Sequence, residues 1–195
     1  MPIKKGEKYL QILEAAVKEF AEHGYHRTQV SRIAKEAGVA DGTIYLYFES
    51  KEDILVSLFT EKMGEFVSAL KQKLEKARGF EEQLRTLVYH HLEMLGAHPA
   101  QAMVTQIELR QIDPKINQGI SGPLKSYFNV IEEVIRLGQQ EGLVSQDLDV
   151  RLARKVVFGA IDEVVTCWVM TTKKYELVSL AEPLYGMLKA ALVKN

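Results

Sequence analysis

Apolar residues recur at helical spacing through almost the whole chain. Over residues 7–23, Tyr9, Ile12, Leu13, Ala16, Val17 and Phe20 share one face, and Gly24 supplies the backbone freedom that ends such a helix. A second, short helix is predicted with Thr28 as its N-cap, with Val30, Ile33, Ala34 and Ala37 inward, and with Gly38 closing it. A third is predicted over 40–48. Wound as an α-helix, it sets Ile44 and Phe48 on one face and Gly42, Thr43 and Leu46 on the opposite one, with Tyr45 and Tyr47 on the flanks. The compact turn Ala37, Gly38, Val39 lets the last two helices cross steeply, as a helix-turn-helix unit requires.

The pattern stays helical beyond this point. Ile54, Leu55, Leu58, Phe59, Met63, Phe66, Leu70 and Leu74 predict a long amphipathic helix over 51–78, ended by Gly79. Helices follow over 80–97 and 99–111, each restart marked by a proline, Pro99 and then Pro114. The next runs to Glu141, interrupted or kinked between Gly119 and Pro123. Asp149 caps a strongly apolar helix reaching Thr172, and a last helix spans 176–193 with a kink at Pro183. No strand pattern occurs. The class is therefore all-α, a three-helix unit over 1–50 followed by a six-helix body over 51–195.

The free face of the third helix suggests a reading head for a DNA major groove, its two tyrosines within reach of the bordering phosphates. The residues Ile33-Ala34, Gly38-Val39, Gly42-Thr43-Ile44-Tyr45-Leu46-Tyr47-Phe48 and Lys51-Glu52 resemble, in register, the signature of the tetracycline-repressor (TetR) family. The family's docking mode implies DNA contacts from Thr28, Ser31, Arg32, Gly42, Thr43, Tyr45, Leu46, Tyr47 and Lys51. Lys4, Lys5, Lys8 and Arg27 are placed to add charge. Two departures, Ala40 where a Ser cap is frequent and Asp41 beside the DNA, bear on which operator is read.

Composition adds limits. The formal net charge of the 195 residues is −1, so affinity for DNA must come from local groups. The single cysteine, Cys167, excludes an intramolecular disulfide. Neither a signal peptide nor a membrane span is readable, and a cytoplasmic location is expected. The helix around Val156 to Met170 is apolar on too many sides for a half-buried element, and Phe158 and Trp168 on it are expected to sit in a homodimer interface, together with the last helix. The same arrangement is implied by the resemblance, and it suits a palindromic operator with half-sites about 34–36 Å apart.

The body also resembles a narrower group, the fatty-acid degradation regulators (FadR) of Gram-positive bacteria, through Thr105 to Gln111, Leu148 to Arg154, Phe158-Gly159, Ile161-Asp162-Glu163 and Trp168-Val169-Met170. That resemblance implies a long-chain acyl-CoA effector and no cofactor. Phe59, Met63, Phe66, Leu92, Leu95, Met103, Ile107, Tyr127 and Ile131 are then either simple core or the lining of an acyl tunnel. Arg110 is the first candidate for the CoA phosphates, with Lys115, Lys125 and Arg85 behind it; it equally suits an ion pair with Glu108 or Asp113.

Two other readings stand beside this one. Asp162, Glu163 and Trp168 would suit a repressor of efflux pumps that senses lipophilic cations. An acyl-thioester hydrolase would need Cys167 as nucleophile with His90 or His91 as base, but no cation adjoins that cysteine in sequence. The five histidines show no metal-ligand spacing.

Overall fold

A computed structural model describes residues 6–107, 113–172 and 175–194. Among them the elements are α1 (Glu7–His23), α2 (Val30–Glu36), α3 (Asp41–Ile44), α4 (Lys51–Leu74), α5 (Gly79–Ala97), α6 (Pro99–Ile107), α7 (Pro114–Gln140), α8 (Val150–Met170), a 3-10 turn (Leu177–Leu180) and α9 (Ala181–Leu192). The sole extended pairing among the described residues is one antiparallel bridge between Val144 and Val193.

Contacts divide the chain into two units. Unit 1 comprises Met1–Lys62 and Ala100–Gly122, and unit 2 comprises Met63–Pro99 and Pro123–Asn195. The long helices α4 and α7 thus contribute to both.

In unit 1, α1 packs against α2 and α2 against α3, with Ile33, Ala34 and Ile44 fully buried. Phe48 stacks on Tyr9 at 5.1 Å. Farther along the chain, a side chain at Gly119 would lie 2.5 Å from Val56 Cγ1, so α7 approaches α4 there at backbone distance. In unit 2, α5 packs against α8, α9 and the 3-10 turn. Gly138 is a second point of close approach, where a Cβ would meet Phe80 at 2.7 Å and Val144 at 2.6 Å.

Several boundaries differ from the sequence expectation. Thr28 is not an N-cap: its hydroxyl turns back to donate to the carbonyls of Gly24 (2.9 Å) and Glu19 (3.1 Å), and α2 starts two residues later with Gln29 in the cap position. The reading helix ends at Ile44 rather than Phe48, because the amides of Leu46 and Tyr47 bond three residues back as Phe48 turns into the core. At the end of α4, residues 76 and 77 tighten in the same way ahead of Gly79, whose φ is +74°.

The two prolines were also misjudged by pattern alone. α7 is one helix through Pro123, held by buried Ile116, Ile120, Tyr127, Val130 and Ile131 on either side. Pro183 does not kink the last helix, since it lies in the first turn of α9, where its missing N–H has no intrahelical acceptor to lose. By contrast Asp149 caps α8 as expected, its carboxylate accepting from the Leu152 amide at 2.9 Å.

Candidate functional site

The reading surface is built on a helix too short to persist alone. Its hold on the protein is Ile44, fully buried, and the Phe48 to Tyr9 stack. What remains outward is Gly42, Tyr45 (59 % exposed) and Leu46 (62 %), with Thr43 and Tyr47 half-buried beside them. A side chain grown from Gly42 would meet no atom within 4 Å. Ser31 and Arg32 are exposed on α2, which packs against α3.

Two of the residues expected at DNA are engaged elsewhere. Thr28 is 1 % exposed and its hydroxyl is satisfied inside. Lys51 directs its ammonium at the carbonyls of Tyr25 (2.9 Å), Thr28 (3.1 Å) and His26 (3.4 Å), and lies 4.5 Å from the Tyr25 ring centroid. In the free protein its three protons tie the loop before α2 to the start of α4. Tyr25 strengthens the tie by donating to Glu52 at 3.0 Å. Arg32 pairs with Glu19 at 2.9 Å and also contacts His23, while half of its side chain stays open. Lys4 and Lys5 lie outside the described residues.

The candidate ligand residues fall on both units. In unit 2, Phe66, Leu92, Leu95, Tyr127 and Ile131 are buried and Met63 is half-buried. In unit 1, Phe59 is buried, Met103 half-buried and Ile107 37 % exposed, while Arg110 lies outside the described residues. Lys115 and Lys125 are exposed, and Arg85 pairs with Glu182 at 2.8 Å. A surface cavity of about 540 Å³ in unit 2 is lined by Lys73, Arg85, Tyr89 and His90, none of them expected to touch the acyl chain.

Sequence reasoning named Phe66 and Tyr127 as core or lining but missed the polar pair at the centre of unit 2. The Phe66 and Tyr127 rings meet edge to face at 5.2 Å, and the Tyr127 hydroxyl lies 2.8 Å from His91 Nδ1. Burial pushes His91 down to about 3 and lifts the Tyr127 phenol, the nearby Asp162 charge adding to the latter, so both groups are neutral at pH 7. The signal available in sequence was the pair of histidines on an otherwise apolar helix face.

The outward side of unit 2 corrects the expected interface residues. Trp168 is 4 % exposed and its indole N–H donates to the Tyr175 carbonyl at 2.8 Å, and Phe158 packs edge-on against Phe128 at 4.9 Å. Trp168 is thus internal on the inner stripe of α8, while Phe158 is half-buried at its edge. The outer stripe is Leu152, Val156, Gly159, Glu163, Cys167 and Met170, joined by Met187 of α9 at 72 % exposure. Cys167 is thus at the surface, and its thiol donates to Glu163, a hydrogen bond that raises its pKa. That is the reverse of an activated thiolate.

Residues 12–58 match the family model for bacterial regulatory proteins of the tetR family, and residues 59–191 match that for the C-terminal region of YsiA-like proteins. The chain belongs to the TetR family. Across 97 % of its length and 97 % of the relative's it is 47 % identical to the fatty acid metabolism regulator protein of Bacillus subtilis. Two solved TetR-fold structures share its architecture. That of FadR from Bacillus subtilis in complex with stearoyl-CoA gives a TM-score of 0.91 at 47 % identity, covering 94 % of this chain and 99 % of the other. That of the fatty acid degradation regulator FadR from Bacillus halodurans gives 0.93 at 50 % identity, covering 97 % and 98 %. Among the described residues no helix is long and apolar enough to cross a membrane.

Proposed function

We propose that this protein is a repressor of fatty-acid degradation genes, which binds a palindromic operator as a homodimer and leaves it when a long-chain acyl-CoA binds. The observation that carries the reading is full-length similarity, at 47 % and 50 % identity, to two fatty-acid degradation regulators, one of them crystallised with stearoyl-CoA. The exposed face of Gly42, Tyr45 and Leu46 supports the DNA-binding half. The apolar stripe of α8 and α9 supports the dimer, since exposed apolar patches of this kind mark association surfaces.

The functional division lies near residue 50, between the reading head and an effector-binding body. Tyr45 and Tyr47 touch phosphates, Gly42 and Thr43 approach base edges, and Arg32 offers the open half of its guanidinium. In unit 2, Phe66, Leu92, Leu95 and Ile131 enclose the acyl chain. The protein acts in the cytoplasm and catalyses no reaction on the thioester. The cation-sensing alternative is disfavoured because Asp162 is half-buried beside Tyr127 and Trp168 is turned inward.

Because an effector shifts the DNA equilibrium only through its differential affinity for the two forms, a ~100-fold loss of operator affinity requires about 2.7 kcal/mol of coupling. Gel-shift titration with palmitoyl-CoA, palmitate and a cationic dye tests this reading. Release by palmitoyl-CoA at the lowest concentration is expected, with the ligand recovered intact. Release by the dye alone would replace the reading with the efflux one, and hydrolysis of the thioester would make the protein an enzyme.

A further inference from the structure

The polar pair at the centre of unit 2 is incomplete in a way that specifies what would complete it. His91 is 5 % exposed and Tyr127 1 %. Phe66 lies edge-on to both rings, at 5.3 and 5.2 Å, and Phe158 closes on Tyr127 at 6.1 Å. His91 Nε2 is buried in this aromatic surrounding without a hydrogen-bond partner among the described residues.

Which nitrogen carries the proton follows from the donor and acceptor strengths of the pair. The Tyr127 hydroxyl pairs with His91 Nδ1 and, among the described residues, with nothing else. Either arrangement leaves one hydrogen unmatched, that of Nε2 if the phenol donates and that of the phenol if Nδ1 donates. A phenol is a stronger acid than a neutral imidazole, and an imidazole nitrogen is a stronger base than a phenol oxygen, so the first arrangement is favoured, and Nε2 is an N–H donor held in a fixed direction by Tyr127.

A lone neutral donor among aromatic rings suits a ligand that is hydrocarbon nearly throughout and carries a neutral acceptor oxygen. A carboxylate would be a poor match, because taking it out of water needs a paired cation. We propose that His91 Nε2–H hydrogen-bonds a neutral oxygen of the effector, with Tyr127 as the positioning residue that fixes the tautomer. The oxygen is either the thioester carbonyl or one borne on the chain itself. The assignment rests on the acyl-CoA reading above.

Operator release is measured for the wild type, His91→Leu and Tyr127→Phe with three CoA conjugates. They are stearoyl-CoA, S-octadecyl-CoA, in which a methylene replaces the carbonyl, and S-octadecyl-CoA bearing a mid-chain hydroxyl. The wild type is expected to respond to one of the oxygen-bearing ligands at about fivefold to tenfold lower concentration than to plain S-octadecyl-CoA. Which one does so identifies the source of the oxygen. His91→Leu should erase that preference, and Tyr127→Phe should reduce it. Equal potency of all three ligands on the wild type, or an unchanged preference in His91→Leu, overturns the proposal. Failure of every conjugate to release operator overturns the effector reading itself and this assignment with it. Nitrogen NMR of wild-type His91 keeps the test independent of how the variants fold: an Nε2–H tautomer is expected, and Nδ1–H would refute the assignment.

Discussion

In unit 1, buried Thr28 has its hydroxyl matched by two carbonyls and Lys51 has its ammonium matched by three, whereas in unit 2 His90 Nδ1 and His91 Nε2 are buried with no hydrogen bond among the described residues. Every such orphaned side-chain atom found falls in unit 2. The head is finished as it stands, and its exposed groups face outward from a satisfied interior. The body keeps polar capacity in reserve inside and an apolar stripe outside. A region that is complete on its own behaves as a rigid tool. A region with unmatched buried groups gains free energy from a bound molecule, and that gain is what a ligand-responsive element requires.

The contrast can be broken most forcefully on the outside of the body. Val156→Asp places a charge on the exposed stripe of α8, 51 % open in the single chain, so the subunit fold should survive. The dimer should not, because an unpaired charge buried at an apolar interface costs roughly 3–5 kcal/mol. Sedimentation at micromolar concentration should show monomers, and a dimer of undiminished strength would move the interface elsewhere.

On the head, Gly42→Leu fills open space in the free protein, so only DNA can object to it. Operator affinity should fall by about 100-fold, equivalent to about 2.7 kcal/mol, at an unaltered unfolding temperature. Near-native anisotropy titrations would remove α3 from the groove. Lys51→Met keeps the aliphatic stem and deletes the clamp, which should lower stability by about 2 kcal/mol, as expected for losing hydrogen bonds to a charged group. Thermal unfolding decides this, and weaker operator binding with an unchanged melting temperature would return Lys51 to the phosphates.

A further effect is in the pH dependence. Above the ordinary histidine value of 6.5, His91 is neutral both folded and unfolded; between 6.5 and about 3 the unfolded chain takes up a proton that the folded one refuses. Stability is therefore lost as the pH falls through that window, at roughly 1.4 kcal/mol per pH unit for this one group. Denaturant titrations should show a shallower acid loss in His91→Leu than in the wild type. Equal slopes would mean that His91 ionises freely in the native core.

Much of this was legible in the residues. The spacing of Tyr9, Ile12, Leu13, Ala16 and Phe20 marks α1, Asp149 marks the start of α8, and the run from Gly42 to Phe48 marks the reading head. What escaped depends on contacts far apart in sequence. Lys51 reads as a free cation until the loop at Tyr25 and Thr28 is folded against it, 23 to 26 positions away. Trp168 and Val156 are both apolar residues of one helix, and only the packing of neighbours decides which faces inward. The His91 to Tyr127 bond joins positions 36 apart, so neither residue announces the pair alone. Pro123 and Pro183 show the same limit, because a proline's effect depends on which amide bond the surrounding structure can forgo.

The empty space around Gly42 has an evolutionary consequence. Substitutions there, and at the neighbouring exposed Tyr45 and Leu46, meet no internal contact that must change in concert, so the DNA sequence read by such a head can drift in single steps. His91 and Tyr127 have no such liberty, since changing either strands its partner in the core. Descendants of a protein built this way would diversify in the genes they address sooner than in the molecule that silences them.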